Sequence, residues 1–294
     1  MDFRRLHYFV AVAEELHFGR AASRLSIAQP PLSRQIAQLE KDLGVELFDR
    51  SRSQIRLTQA GEVLLERARE ILDRIDRTER EIHRIGEGIA GRLRIAFVGS
   101  ATYGLLPTVI KAYRATYPDV ELALSAMNNA ELWRALIQRE IDIAVARPAI
   151  DDVELKSELL LKEPLILAVP EHFRITGSPI PLKDLQAETF VLYPRKPRPS
   201  FADHILDVCK HEGFTPKSVV MAQDYHTAIS LVSVDFGISL VPFSVSLSER
   251  PGVVYVPYEG FNPGTSLSLN YRIDNRGPHV LNFVRLARKT RGKI

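Results

Sequence analysis

SIAQPPLSRQIAQLEKDLG, residues Ser26–Gly44, sets Leu32, Ile36, Leu39 and Leu43 at helical spacing, yet opens on Pro30 and Pro31. Proline breaks a helix interior but suits the first turn, where its missing N–H has no partner in any case. The helix therefore starts near Pro30, and its first turn carries Gln29, Ser33 and Arg34. Upstream, Leu6, Phe9, Val10, Ala13 and Leu16 form one helical stripe, and Ala21, Ala22 and Leu25 begin a short second helix. Ser26-Ile27-Ala28 is a tight connection. Beyond Gly44, ELFDR and QIRLT read as two short strands around the polar tip Ser51–Gln54.

A short helix, a tight turn and a following helix form a helix-turn-helix, whose second helix enters the DNA major groove by its amino-terminal residues. Gln can read adenine edges and Arg can read guanine, while Ser serves bases or phosphates. An exposed helix start also favours a phosphate. Arg50, Arg52 and Arg56 at the ribbon suit the flanking backbone or a minor groove. Taken alone, this pattern is equally compatible with plain helical packing.

From Gln59 to about Gly88 runs one charged helix. Leu64, Ala68, Ile71, Ile75, Thr78, Ile82 and Ile85 alternate spacings of four and three, a heptad seam. A linker helix lying on its own domain is the alternative, but so regular a seam favours burial against a second copy. After Gly86, Gly88 and Gly91 the texture alternates. LRIAFVG, VELALSAM and IDIAVARP are strands separated by amphipathic helices, and LILAVP, TFVLYP and GISLVP follow with helices over 200–212 and near His226. Continuous apolar strands of this kind imply a parallel, buried sheet. SLSLNYRI and a basic terminal helix from about Val280 return to the first sheet, giving two α/β lobes with a cleft between them.

The 294 residues, 45% hydrophobic and 26% charged, describe an ordinary soluble protein of several compact units. A net charge of +3 leaves nucleic-acid affinity to local clustering. A single cysteine, Cys209 within an apolar helical stripe, suits core packing and a reducing cytoplasm. Glu14 and Glu15 interrupt the amino-terminal apolar run, which therefore reads as an amphipathic helix rather than a signal peptide, and no segment reaches membrane-spanning length.

FVAVAEELHFGRAASRLSIAQPPLSRQIAQLEKDLGVELFDRSRSQIRLTQAG resembles the amino-terminal domain of LysR-type transcriptional regulators. Ala21-Ala22, Leu25, Gln29-Pro30, Ser33, Ile36, Leu39-Glu40, Leu43-Gly44, Leu47-Phe48, Arg50, Leu57-Thr58 and Gly61 carry the likeness. The resemblance covers the chain. It implies a winged helix-turn-helix over residues 1–58, a linker and dimerisation helix over 59–88, and an effector-binding domain over 89–294. That last domain is two-lobed, α/β and like a periplasmic binding protein, with its second lobe at about 165–265. Family members pair their linker helices antiparallel and usually form tetramers. Double-stranded DNA, a small-molecule effector and, for an activator, RNA polymerase are the expected partners.

Loops at strand carboxyl ends form the ligand crevice of such sheets. Gly99-Ser100, Asn128-Asn129 and Pro199-Ser200-Phe201 open helices there, and Arg147 follows IDIAVA directly. Helix-start N–H groups and an arginine fit a carboxylate. Singly, Ser100 and Ser200 read equally well as N-caps and Arg147 as a surface ion pair. Jointly, they favour an anion site. RIAFVGSATYGLLP, IDIAVAR, LYPRKPRPSFADHI and GISLVP are similar to the branch of the family that controls catechol and benzoate degradation, whose members respond to muconates or benzoate. By position, that likeness assigns Ser100, Arg147, Pro199 and Phe201 to the effector site. Asn129 replaces the threonine of muconate-responsive relatives, Asn128 replaces a small residue, and Arg195 and Lys196 add charge.

Competing classes fare worse. FVGSA is no nucleophile elbow, and no dinucleotide fingerprint or P-loop occurs. His204, His211 and His226 lack metal-ligand spacing, so neither catalysis, a metal nor a cofactor is expected. A solute-binding protein would need a signal peptide and no DNA-binding head. A regulator of another pathway, sensing a different small anion, stays open.

Overall fold

The computed structural model describes residues 2–50, 55–174, 177–196 and 200–291. They form two compact units, Met1–Arg84 and Ile85–Ile294.

The first unit opens with helices α1 (Phe3–Glu15), α2 (Phe18–Arg24) and α3 (Gln29–Leu43). α3 starts one residue before Pro30, so both prolines sit in its first turn. Gly44, at φ 72°, ends it in the left-handed conformation that glycine adopts without strain. Leu32, Ile36 and Leu39 are fully buried with Leu6, Phe9 and Ala21, whereas Leu43, on the same stripe, stays exposed in the last turn. Strands β1 (Phe48–Asp49) and β2 (Arg56–Leu57) pair antiparallel. The ribbon tip, with Arg52, lies outside the described residues. Phe48 packs against Phe9 and Phe18, ring centres 5.4 and 6.0 Å away.

Helix α4 (Gln59–Gly86) docks by its first turns on this core. A Cβ at Gly61 would stand 2.2 Å from the Leu47 carbonyl oxygen, so only glycine permits that approach. Contrary to the expectation of a seam buried whole against a second copy, its first part is covered by its own unit. Ala68 is fully buried, and Leu64, Leu65 and Leu72 pack against the same core. The first two seam positions thus serve their own unit. Ile71, Ile82 and Ile85 remain exposed, the last two by 65% and 42%, and the seam that can meet a second copy is its carboxyl-terminal part.

The second unit begins with β3 (Ala90–Phe97), α5 (Leu105–Thr116), β4 (Asp119–Ala126), α6 (Asn129–Ile137), β5 (Ile143–Ala146) and β6 (Leu155–Glu163). β7 (Leu165–Pro170), β8 (Ile180–Pro181), β9 (Thr189–Leu192), α7 (Phe201–His211), β10 (Ser218–Met221) and α8 (Tyr225–Val232) follow. β11 (Ser239–Pro242), β12 (Val253–Val256), β13 (Tyr258–Glu259), β14 (Thr265–Arg272) and α9 (Pro278–Arg291) complete it. The five-stranded sheet runs β4-β3-β5-β14-β6. β3, β4 and β5 are parallel, but β14 is antiparallel to both β5 and β6, so the expected parallel sheet is mixed. In the second lobe, β9 and β10 are parallel, while β7 pairs antiparallel with β11 and β12. Antiparallel strands enter because the chain crosses between lobes twice, from β6 to β7 and back into β14.

Each lobe has its own core. Leu93, Ile95, Tyr113, Val145 and Phe283 anchor the first; Leu167, Phe190, Ile205, Cys209 and Leu240 anchor the second. Cys209 is a core residue, and burial pushes its thiol up to about 12. No helix among the described residues is long and apolar enough to cross a membrane.

The divided seam gives opposite expectations for its two halves. Ala68→Glu buries an unpaired carboxylate and should destabilise the first unit by about 3 kcal/mol or more. Ile82→Glu with Ile85→Glu should leave the urea midpoint unchanged but lower the mass seen in analytical ultracentrifugation. An unchanged mass for that double variant would remove the seam from assembly.

Candidate functional site

In the first unit, α3 presents Gln29, Pro30, Pro31 and Arg34 to solvent, with Ser33 half-buried. The N-cap position, Ala28, offers no side-chain acceptor. The helix start is a poorer phosphate cradle than expected. Pro30 and Pro31 lack N–H groups, so recognition there falls to side chains. Glu40 holds the turn after α3: its carboxylate accepts from the Leu47 and Phe48 N–H groups at 2.9 and 3.2 Å and pairs with Arg50 at 2.7 Å. The Arg50 guanidinium also lies 5.4 Å from the Phe18 ring centre. Arg50 therefore serves the fold, whereas Arg56 is exposed on β2. His17, unremarked in the sequence, caps α2 by accepting from the Gly19 and Arg20 N–H groups at 3.0 and 3.2 Å through Nδ1.

The second unit carries a cleft of about 380 Å³. Its walls are the carboxyl ends of β3, β4 and β5 in one lobe and of β9 and β10 in the other, where the crevice of an open α/β sheet belongs. Gly99, Ser100, Asn128, Asn129, Arg147, Ser200 and Phe201 all line it. Pro199 lies outside the described residues. Tyr193, Gln223 and Tyr225 line it as well and were not singled out in the sequence, and His226, weighed there only as a metal ligand, joins them. Tyr193 is legible in hindsight as the residue following a buried strand; the α8 start lacks a glycine or serine signal.

Several groups are already employed. Asn128 Oδ1 accepts from the Ala130 and Glu131 N–H groups at 3.1 and 3.0 Å, and Glu131 accepts from Asn128 N–H. That capping box consumes donors which the sequence reading offered to an anion. Asn129 instead fixes the neighbouring loop, donating to the Pro148 carbonyl at 2.9 Å and accepting from the Arg147 N–H at 3.2 Å. Ser200 donates its hydroxyl to the Pro194 carbonyl at 3.2 Å, and its N–H bonds Asp203 at 2.6 Å. Gly99 and Ser100 belong to a single 3-10 turn, Gly99–Tyr103, rather than to the helix behind it. A Cβ on Gly99 would meet the Tyr225 ring at 3.3 Å, so glycine lets the lobes approach there.

Arg147 is the departure from a surface ion pair. Its side chain is 3% exposed and meets Glu163, 5% exposed, at 2.5 Å. Glu163, at the end of β6, also accepts from the Ser244 N–H at 2.5 Å and the Ser244 hydroxyl at 3.1 Å. Arg147 Nε and Nη1 are sealed from solvent, and no described residue bonds them. One nitrogen is spent and two remain for an acceptor in a low-dielectric wall, where charge-assisted bonds are strong. Tyr225 is held as a neutral phenol, first by burial and then by its bond to Tyr103, whose ring meets it edge-on at 5.3 Å from the facing lobe. Among the described residues, no three His, Cys, Asp or Glu side chains gather as a metal site.

Residues 3–62 match the bacterial regulatory helix-turn-helix protein, lysR family, and residues 86–292 match the LysR substrate binding domain. The chain belongs to the LysR family. This LysR-family regulator is 35% identical to the HTH-type transcriptional regulator AlsR of Bacillus subtilis, over 98% of this chain and 95% of that one. It is 41% identical to the HTH-type transcriptional regulator CatR of Pseudomonas putida, over 87% and 88%. Full-length CbnR complexed with its target DNA superposes with a TM-score of 0.85 at 31% identity, covering 99% and 100%. The BenM effector binding domain with its effector benzoate gives 0.62 at 29%, covering 69% of this chain and 93% of that one.

The ion pair makes a stability prediction. Glu163→Leu leaves a buried guanidinium uncompensated and should cost about 3–5 kcal/mol, whereas Arg147→Met with Glu163→Leu should recover most of that loss. Urea unfolding of both variants measures it; equal losses would mean that the two side chains do not act as a pair.

Proposed function

We propose that this LysR-family regulator reads operator DNA with the first two turns of α3 and senses a small organic carboxylate in the cleft. Gln29, Ser33 and Arg34, set in place by Pro30 and Pro31, are the base-reading groups, and Arg56 with Arg52 contacts the backbone. The two unspent nitrogens of Arg147 are the observation that carries the effector reading. Such a wall is built for an acceptor, and an apolar lining of Phe201 and Tyr225 favours an unsaturated or aromatic skeleton around it. Likeness to BenM, solved with benzoate, supports the same class. Ser100 receives the carboxylate with Arg147, while Asn128, Asn129 and Ser200 shape the loops that hold these groups.

The protein acts in the cytoplasm as an activator of genes for degrading catechol- or benzoate-type compounds. It works as a homo-oligomer paired through the carboxyl-terminal seam of α4, a tetramer in its full assembly, with RNA polymerase as the partner at the promoter. Effector binding selects one arrangement of the lobes, since a ligand with equal affinity for both states shifts nothing.

DNA reading is tested by binding to specific and scrambled duplexes across a salt series. Arg34→Ala should lose roughly 1–3 kcal/mol of discrimination at one base position. Arg56→Ala should weaken both duplexes alike and lower the salt slope by about one charge. Equal losses for Arg34→Ala on both duplexes would end its base-reading role.

Effector sensing is tested by calorimetry with cis,cis-muconate and benzoate, followed by footprinting. Ser100→Ala should weaken binding about tenfold or less, and Arg147→Met with Glu163→Leu by more, because a charged bond is lost. The effector-dependent footprint should vanish with affinity. Wild-type affinity in both variants would place the site elsewhere.

A further inference from the structure

We propose that the Tyr193 hydroxyl is a ligand-binding donor of the cleft, which shares one effector carboxylate with Arg147 and so joins the two lobes through it. This inference rests on the cleft being the effector site.

Tyr193 follows β9 directly and lines the cleft, yet the residue is only 7% exposed. Its ring is fixed on both sides. Phe201 packs against it at 5.3 Å between ring centres, tilted by 32°, and Tyr225 stands at 6.3 Å, close to edge-on. Such a slot would hold a phenylalanine ring equally well, so packing does not call for the hydroxyl. No described residue bonds that hydroxyl, and it is sealed from solvent. Buried polar groups in folded proteins are nearly always hydrogen-bonded, because desolvation without a partner is costly. An orphan donor of this kind therefore points to an acceptor that arrives from outside the chain.

The neighbouring guanidinium favours an anionic acceptor. Burial holds the phenol far above its ordinary range; Arg147 opposes that shift, while Tyr255 and Glu163 reinforce it. The group is thus a neutral O–H at physiological pH and can only donate to an anion placed beside it. Arg147, the cation that acts on it, has Nε and Nη1 unspent in the same wall. One carboxylate offers two oxygens, enough for both groups at once. Arg147 belongs to the end of β5 in the first lobe and Tyr193 to the end of β9 in the second. A carboxylate held by both exists only while the lobes keep that spacing. That gives the differential affinity between lobe arrangements which signalling requires. Tyr193 is therefore both a specificity determinant for carboxylates and a point of coupling.

The experiment uses the full chain, with cis,cis-muconate and benzoate as probes in titration calorimetry and thermal melting without ligand. Tyr193→Phe keeps the ring and removes only the donor. Its ligand-free melting temperature should equal or exceed that of the wild type, and its affinity for the bound probe should fall about tenfold. A ligand-free melting temperature several degrees lower would mean that the hydroxyl is bonded within the fold, overturning the proposal. Unchanged affinity in Tyr193→Phe, with weakened binding by Arg147→Met plus Glu163→Leu, would overturn it while leaving the cleft as the effector site. Unchanged affinity in both would remove the cleft itself.

Discussion

A guanidinium and a carboxylate sealed together at the base of the cleft, Arg147 and Glu163, are the constraint around which the effector unit is arranged. Neither charge can be buried alone, so three parts of the chain must arrive at one point. The end of β5 brings Arg147, the end of β6 brings Glu163 just where the chain crosses lobes, and Ser244 supplies two further donors from the segment after β11. Asn129 then ties the backbone of Arg147 to the start of α6. The cleft wall is thus made of groups whose orientation is set by bonds beneath it. What remains unbonded there, on Arg147 and Tyr193, is what a ligand can use.

The DNA-binding unit relies on the same device at smaller scale. Glu40 accepts two backbone N–H groups and an arginine, which fixes the turn between α3 and the ribbon. With Leu32, Ile36 and Leu39 buried, α3 can turn only its other face to solvent. In both units a carboxylate bonded within the fold sets how the neighbouring recognition groups are presented. This also separates the roles of neighbouring arginines: Arg50 completes the Glu40 arrangement, while Arg34 and Arg56 stand exposed.

Local pattern made much of this legible. Two prolines located the start of α3 within a residue, and the apolar strands of the second unit marked the loops that form the cleft. Seven of the residues expected there line it. What pattern could not carry was the pairing of distant groups. Glu163 sits 16 residues from Arg147 at the end of a strand whose buried positions are irregularly spaced, and nothing local links the two. A free helix start and an occupied one also look alike in sequence, so Asn128 read as a ligand contact when it caps α6. A heptad seam, likewise, does not say which surface covers it, and Ala68 turned to its own unit while Ile82 and Ile85 did not. The mixed sheet was hidden because strand direction leaves no local mark: β14 is buried along its length like its parallel neighbour β5.

On the reading proposed above, a carboxylate held at the strand ends of the two lobes is the signal this regulator reads. Hydrogen–deuterium exchange on the full chain bound to operator DNA, with and without saturating cis,cis-muconate or benzoate, tests it most directly. Ligand-dependent protection is expected in peptides covering residues 98–103, 146–150 and 190–204, together with altered exchange in the first unit. Protection confined to the groove beside Lys111 and Arg114 on α5, with those three segments unchanged, would contradict it.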